Sequence, residues 1–387
     1  MKRKKSIRYS QDNNKLLKSI IEAKLFLALT DLAVLCVSAA AQEKTAVDWF
    51  NKGQELFSNG SKEEAIKAYD KAIELNPQYG MAWGGKATAL AILGRYNESL
   101  VAYDKAIETW PANDTERISE LWVFKGSTLQ LAGRPKEAST AYDEALKIYP
   151  QNFDAWIWKG NSLKNLGQYN ESLQAYDKAI EAAPSQMPEI GASAKVAKAD
   201  VLLKMGRYDE AYSIYNITSK PNSTADIDRF YSAWSWRGMG SAMAGLGQYN
   251  VSMQAFNESR EIDPKNAFQA WNDEGNALKD LGKYMEAVEA YNKSIEMAPS
   301  EFASAKAWIG KGEALDKMGE HDKAVKVYQA AVNDLDKTLQ KSPFDAESWY
   351  LKGTALKALS HTSEADVAFA KAKELRYNES ESAYERA

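Results

Sequence analysis

Residues 49–77 read WFNKGQELFSNGSKEEAIKAYDKAIELNP, and the pattern they carry returns along the chain. Trp49 is followed four residues on by Gly53, three further by Leu56 and four further by Gly60, and then by Ala65, Tyr69, Ala72 and Pro77. Residues 156–184 repeat it as Trp156, Gly160, Leu163, Gly167, Tyr169, Ser172, Tyr176, Ala179 and Pro184. Trp83, Trp122, Trp236, Trp271, Trp308 and Trp349 mark further copies at a basic spacing of 34 residues. Nine copies start near 46, 80, 119, 153, 192, 233, 268, 305 and 346. A period of this length, built from two helical patterns, predicts an all-α solenoid.

The spacing makes physical sense as two antiparallel helices. Steps of four and three place Trp49, Gly53 and Leu56 on one helical stripe, and Ala65, Tyr69 and Ala72 on another that faces it. Gly60, Gly94, Gly133, Gly167, Gly206, Gly247, Gly282 and Gly319 stand where each first helix must end in a left-handed residue. Pro77, Pro111, Pro150, Pro184, Pro264 and Pro299 lack the N–H that would continue each second helix. Small residues on both sides let the backbones approach, and the indole and phenol rings are expected to fill the flanking space.

On these motifs the chain resembles the tetratricopeptide repeat family over about residues 46–380. The resemblance implies a right-handed superhelical solenoid of about nine helix-turn-helix repeats, spanning 42–380 and followed by a polar tail, 381–387. Departures are local. The fifth copy has Lys195 for Trp and Ser223 at the proline position, and the ninth has Ser360 for the turn glycine. The eighth has His321 for Tyr and delays its proline to Pro343, which predicts a second helix about two turns longer. Extra residues around Asn113, Met187 and Asn222 fall between repeats, where insertions cost little.

Composition fits a folded, water-facing protein: of 387 residues, 45% are hydrophobic and 26% charged. Net charge is −4; the first 41 residues hold eight Lys or Arg against three acids, contributing +5 and leaving −9 to the rest. A mildly acidic solenoid without a basic stripe is a poor nucleic-acid binder, and no nucleic-acid partner is expected.

The N-terminus differs in kind. A basic head, MKRKKSIRYS, precedes a largely apolar stretch from Leu25 to Ser38 and the small residues Ala39, Ala40 and Ala41. This order describes a secretory signal peptide over 1–41, cleaved after Ala41, and an exported protein. An uncleaved membrane anchor and a buried amphipathic helix are the alternatives. The one cysteine, Cys36, lies in this stretch, so disulfides have no place in a mature chain.

Searches for chemistry find no convergent set. His321 and His361 sit near turns without Cys or paired carboxylates beside them, so no metal is implied. Gly84-Gly85-Lys86 and Gly238-Met239-Gly240 fall inside helical patterns rather than in a phosphate loop, so no nucleotide cofactor is implied either. The sequence therefore reads as noncatalytic.

The resemblance implies that the first helix of each repeat lines a concave groove. Residues just after the core positions there include Phe50, Gln54, Ile157, Ser241, Ile309, Glu313, Tyr350, Thr354 and Lys357. The closest approach to a peptide-binding set is Asn161 with Lys164, and Asn272 with Asn276 and Lys279, with Arg237 between them. Amides can pair with an extended backbone and lysine with a carboxylate. Ten Asn-x-Ser/Thr sequons occur, of which Asn113 and Asn222 lie in expected loops and are the glycosylation candidates. The sequence thus predicts an exported scaffold for protein or peptide partners. A glycosylated structural surface component, and a regulatory subunit recruiting a separate enzyme, are the other readings.

Overall fold

The computed structural model describes residues 44–183, 188–220 and 226–375. Each copy of the motif is a helix hairpin: α1 (Lys44–Ser58) with α2 (Lys62–Leu75), α3 (Gly80–Ile92) with α4 (Tyr96–Thr109), and α5 (Thr115–Leu131) with α6 (Pro135–Ile148). There follow α7 (Phe153–Asn165) with α8 (Tyr169–Ala182), α9 (Pro188–Lys204) with α10 (Tyr208–Thr218), and α11 (Asp226–Gly245) with α12 (Tyr249–Ile262). The last three are α13 (Ala267–Asp280) with α14 (Tyr284–Met297), α15 (Glu301–Lys317) with α16 (His321–Lys341), and α17 (Ala346–Ala358) with α18 (Thr362–Glu374). Among the described residues there is no strand, and the architecture is an all-α helical repeat solenoid. The expected leader over 1–41, the loop positions Met187 and Asn222, and the polar tail lie outside the described residues. No described helix is long and apolar enough to cross a membrane.

The chain divides into two compact units between Lys159 and Gly160. In the first, Phe50, Tyr69, Leu90, Tyr103, Leu121 and Phe124 form one core cluster, and Leu100, Val123, Leu129, Tyr142 and Leu146 continue it. In the second, Leu278, Tyr291 and Ala307 pack together, as do Ile309, Leu335, Leu351 and Leu356.

The seam of each hairpin follows from the glycine facing the tyrosine. A Cβ at Gly53 would lie 2.5 Å from the Tyr69 ring, and one at Gly275 2.7 Å from that of Tyr291. The following repeat closes on the same ring: a Cβ at Gly85 would lie 2.8 Å from Tyr69 and one at Gly310 2.6 Å from Tyr291. The buried tyrosine is thus held between two backbones, one from its own repeat and one from the next. Where serine replaces the small alanine, its hydroxyl donates to the facing backbone carbonyl: Ser99 to Ala87 at 2.7 Å, Ser172 to Gly160 at 2.8 Å and Ser252 to Gly240 at 2.7 Å. That bond satisfies the hydroxyl within a dry seam.

Turns and caps match the sequence reading. Gly94 has φ +78°, and the Arg95 N–H donates to the Leu90 carbonyl at 2.9 Å, the closing bond of a left-handed helix cap. Ser360 takes the same conformation at φ 62°, the one described non-glycine with positive φ. The eighth hairpin lengthens as expected, α16 having 21 residues against 14 in α2. Trp83, Trp122, Trp156, Trp271, Trp308 and Trp349 are half-buried against the core clusters, flanking the seam as expected, while Trp49 is exposed. Trp83, Trp156 and Trp349 each donate the indole N–H at 2.9 Å to the carbonyl of Pro77, Pro150 and Pro343. The bond satisfies the indole N–H and ties each of these hairpins to the proline before it.

A second tie between hairpins was not legible. The lysine three residues after the Trp position, which Lys195 occupies in the fifth repeat, reaches back to the aspartate that follows the core tyrosine of the preceding repeat. The distances are 2.6 Å for Lys86–Asp70, 2.5 Å for Lys125–Asp104, 2.7 Å for Lys159–Asp143 and 2.5 Å for Lys198–Asp177. After α10 and α14 the acid is replaced by Asn216 and Asn292. Lys311, opposite Asn292, makes no ion pair among the described residues, and desolvation pulls its ammonium below the ordinary lysine value.

Candidate binding face

The first helix of each hairpin carries a polar residue five positions after the repeat Trp: Thr88, Ser127, Asn161, Asp200, Ser241, Asn276, Glu313 and Thr354 among them. The structure gives several of these a partner the sequence did not disclose. Asn161 Oδ1 accepts from the Tyr176 hydroxyl at 2.8 Å, Asn276 Oδ1 from Tyr291 at 2.7 Å, and Asp200 Oδ1 from Tyr215 at 2.5 Å. Thr88 and Tyr103 share a hydrogen bond of 3.1 Å. Where the core ring is Phe256 or Phe369, Ser241 and Thr354 donate instead to carbonyls one turn back in their own helix. Opposite Tyr176, Tyr291 and Tyr215 the residue supplies the acceptor a buried phenol needs, whereas Tyr142 donates to Gln130 at 2.9 Å and Tyr328 to Asp316 at 3.0 Å. Burial also raises the hydroxyls of Tyr176 and Tyr103, the latter to about 12.

This pairing orients the two amides. With the carbonyl oxygen taken by the phenol, the NH2 groups of Asn161 and Asn276 are the ends left toward the face, two donors each. Lys164 is half-buried, and its Nζ joins no hydrogen bond or ion pair among the described residues. Lys279 is engaged, at 2.5 Å from Glu313 in the next repeat. Asn272 donates weakly to Asp273 at 3.4 Å, and its own buried Oδ1 has no donor. Phe50, Ile309 and Tyr350, expected to line the face, are 1%, 5% and 7% exposed and belong to the core.

Charges on this face alternate from helix to helix in the unit from Gly160 onward. Lys164 on α7 and Arg237 on α11 both act on Asp200 of α9; Arg237 also meets Asp273 of α13 at 3.4 Å and donates to Gln269. Lys306 of α15 acts on Asp273 and pairs with Glu347 of α17 at 2.5 Å. Desolvation raises the carboxyls of Asp200 and Asp273 above the ordinary value despite these cations. At Glu347 desolvation pulls the same way but is outweighed by Lys306, Lys204 and Lys164, which hold it below the ordinary value. Lys164 and Glu347 therefore lie close enough to sense each other although they belong to the fourth and ninth repeats.

The sequons read differently once placed. Asn97, Asn170, Asn250, Asn257 and Asn292 are exposed, but each owes its sequon to a serine that is buried and bonded across a seam, Ser259 to Ala233 and Ser294 to Phe268 at 2.8 Å in the last two. Each of those serines has a packing role of its own. Asn113 is exposed in the turn between α4 and α5, while Asn222 lies outside the described residues. His321 Nδ1 meets Asp316 at 2.9 Å, and among the described residues no group of three or more His, Cys, Asp or Glu could hold a metal.

Sequence models described as tetratricopeptide repeat match residues 46–79, 78–151, 125–186 with 272–346, and 346–379. No curated protein is significantly similar in sequence. Among solved structures, a tetratricopeptide repeat protein from Parabacteroides merdae is 17% identical, with a TM-score of 0.54, over 72% of this chain and 99% of that one. YrrB, a TPR protein with an unusual peptide-binding site, is 19% identical with a TM-score of 0.33 over 59% of this chain and 91% of its own. PilF from Pseudomonas aeruginosa is 17% identical with a TM-score of 0.45 over 58% and 95%. The repeat models cover well over half of the sequence, and the hairpins they describe are the ones observed: the chain belongs to the tetratricopeptide repeat family.

Proposed function

We propose that this protein is a noncatalytic scaffold that holds extended protein segments against the first helices of its repeats. One observation carries the reading: the amides of Asn161 and Asn276 are each fixed by a core tyrosine, so that their NH2 groups are presented as donors for backbone carbonyls. Fixing a donor beforehand removes part of the ordering cost of binding.

The test separates this role from stability. Asn161→Asp with Asn276→Asp keeps an acceptor for each tyrosine, as Asp200 does naturally for Tyr215, while it deletes both NH2 groups. Partner capture is expected to fall by about tenfold or more with the melting temperature little changed, each lost bond costing about 0.5–1.5 kcal/mol. Undiminished capture of native partners would move the site away from this face. The basic, apolar and small-residue order of residues 1–41 supports export, with a mature chain starting at or near Gln42. Mass spectrometry of the isolated protein reads that end directly, and an intact Met1 on membrane-bound protein would overturn cleavage. The same spectrum reports any added mass on Asn113.

A further inference from the structure

The start of α11 carries three neighbouring aromatic rings, Phe230, Tyr231 and Trp234, all half-exposed. Phe230 stands edge-on to Tyr231 at 5.4 Å and to Trp234 at 5.7 Å, while Tyr231 and Trp234 stack at 6.4 Å and 17°. Arg237, one turn on, lies 5.8 Å from the Trp234 ring and points its guanidinium at Asp273, which joins the shelf to the polar face. The Tyr231 hydroxyl is held by Ser193 of α9. In the two hairpins that follow, the position of Trp234, two residues before the repeat Trp, is filled by Gln269 and Lys306, polar residues of the charge ladder.

Two lysines without a direct ion pair lie beyond this shelf. Lys164 and Lys204 are half-buried, both act on Asp200, and neither Nζ joins a hydrogen bond or ion pair among the described residues. Asp200 is itself committed to Tyr215 and raised by desolvation, and Glu347, the other carboxylate these lysines reach, is paired with Lys306. Two lysines thus face one carboxylate that answers neither of them directly. Lys204 stands eleven residues after Ser193 on α9, about 16 Å along the helix at about 1.5 Å per residue. That is the reach of about five residues of extended chain.

Resting on the scaffold reading above, we infer that this face selects an acidic extended segment with an aromatic or large apolar anchor about five residues from its acid. The anchor packs on Phe230 and Trp234, and the carboxylate lies between Lys164 and Lys204. An aromatic platform offers contact area at low entropic cost, and two half-buried lysines that share the one carboxylate Asp200 favour a second anion.

Random twelve-residue peptides, capped at both ends and displayed on phage, are selected on the full chain and synthesised for affinity measurement. Enriched peptides are expected to share an aromatic or large apolar residue about five positions from Asp or Glu. Their affinity is expected to fall at least about tenfold in Trp234→Ala and in the Lys164→Glu, Lys204→Glu pair, and to persist in Trp234→Phe, which keeps a ring and reports on folding. Peptides that lack this spacing, or bind both variants like the parent yet weaken in the Asn161→Asp, Asn276→Asp protein, overturn the anchor scheme and leave the scaffold reading standing. Peptides insensitive to every variant, or none enriched, remove both.

Discussion

Gly310→Val is expected to destabilise the protein by about 3 kcal/mol or more, at the upper end of overpacking costs. A Cβ at Gly310 would lie 2.6 and 2.7 Å from ring atoms of Tyr291, and the ring cannot retreat because its other face meets the backbone at Gly275. The added atoms must therefore part α14 from α15. Because repeat arrays respond locally through nearest-neighbour interfaces, the damage should appear first as lost hydrogen-exchange protection in α13 to α16, with a lower urea midpoint. A variant melting at the parental midpoint with unchanged exchange would show that the tyrosine is not clamped between the two repeats.

Tyr291→Phe should cost about 1–3 kcal/mol, more than the loss of one ordinary hydrogen bond, because it leaves the Asn276 carbonyl without its donor. The protein supplies its own remedy. Where the core ring is Phe256, the facing residue is Ser241, whose hydroxyl bonds within its own helix. Combining Tyr291→Phe with Asn276→Ser should therefore recover most of the loss, with a coupling of about 0.5–3 kcal/mol between the two sites. Additive effects in a denaturation double-mutant cycle would mean that Asn276 and Tyr291 are not energetically paired.

Much of the fold was legible because it depends on spacing. Trp49, Gly53 and Leu56 fall on one stripe by helical geometry alone, Gly94 announces its left-handed turn, and Pro343 announces a long α16. The face was legible in place but not in role. Asn276 and Lys279 look free in sequence, yet one serves Tyr291 and the other Glu313, thirty-four residues away. The first tie crosses its own hairpin and the second crosses to the next repeat, and a reading that follows one helical stripe at a time cannot see either. The indole tie is hidden for a related reason, since the carbonyl that receives the Trp83 N–H belongs to Pro77, at the end of the hairpin before. Phe50 and Tyr350 were placed on the face by register, but their rings pack against Tyr69 and Phe369 and are drawn into the core.

The lysine–aspartate tie also governs how a repeat can grow. In the eighth repeat the acid that meets Lys352 is Asp336, at 2.6 Å, seven residues beyond the place an unlengthened repeat would give it. Seven residues return a helix to almost the same face, with a drift of only about 20°. Five would swing the acid about 140° away at 100° per residue. A second helix lengthened by seven residues therefore keeps its acid facing the next lysine, where an increment of five would have turned the acid away and left that lysine in water.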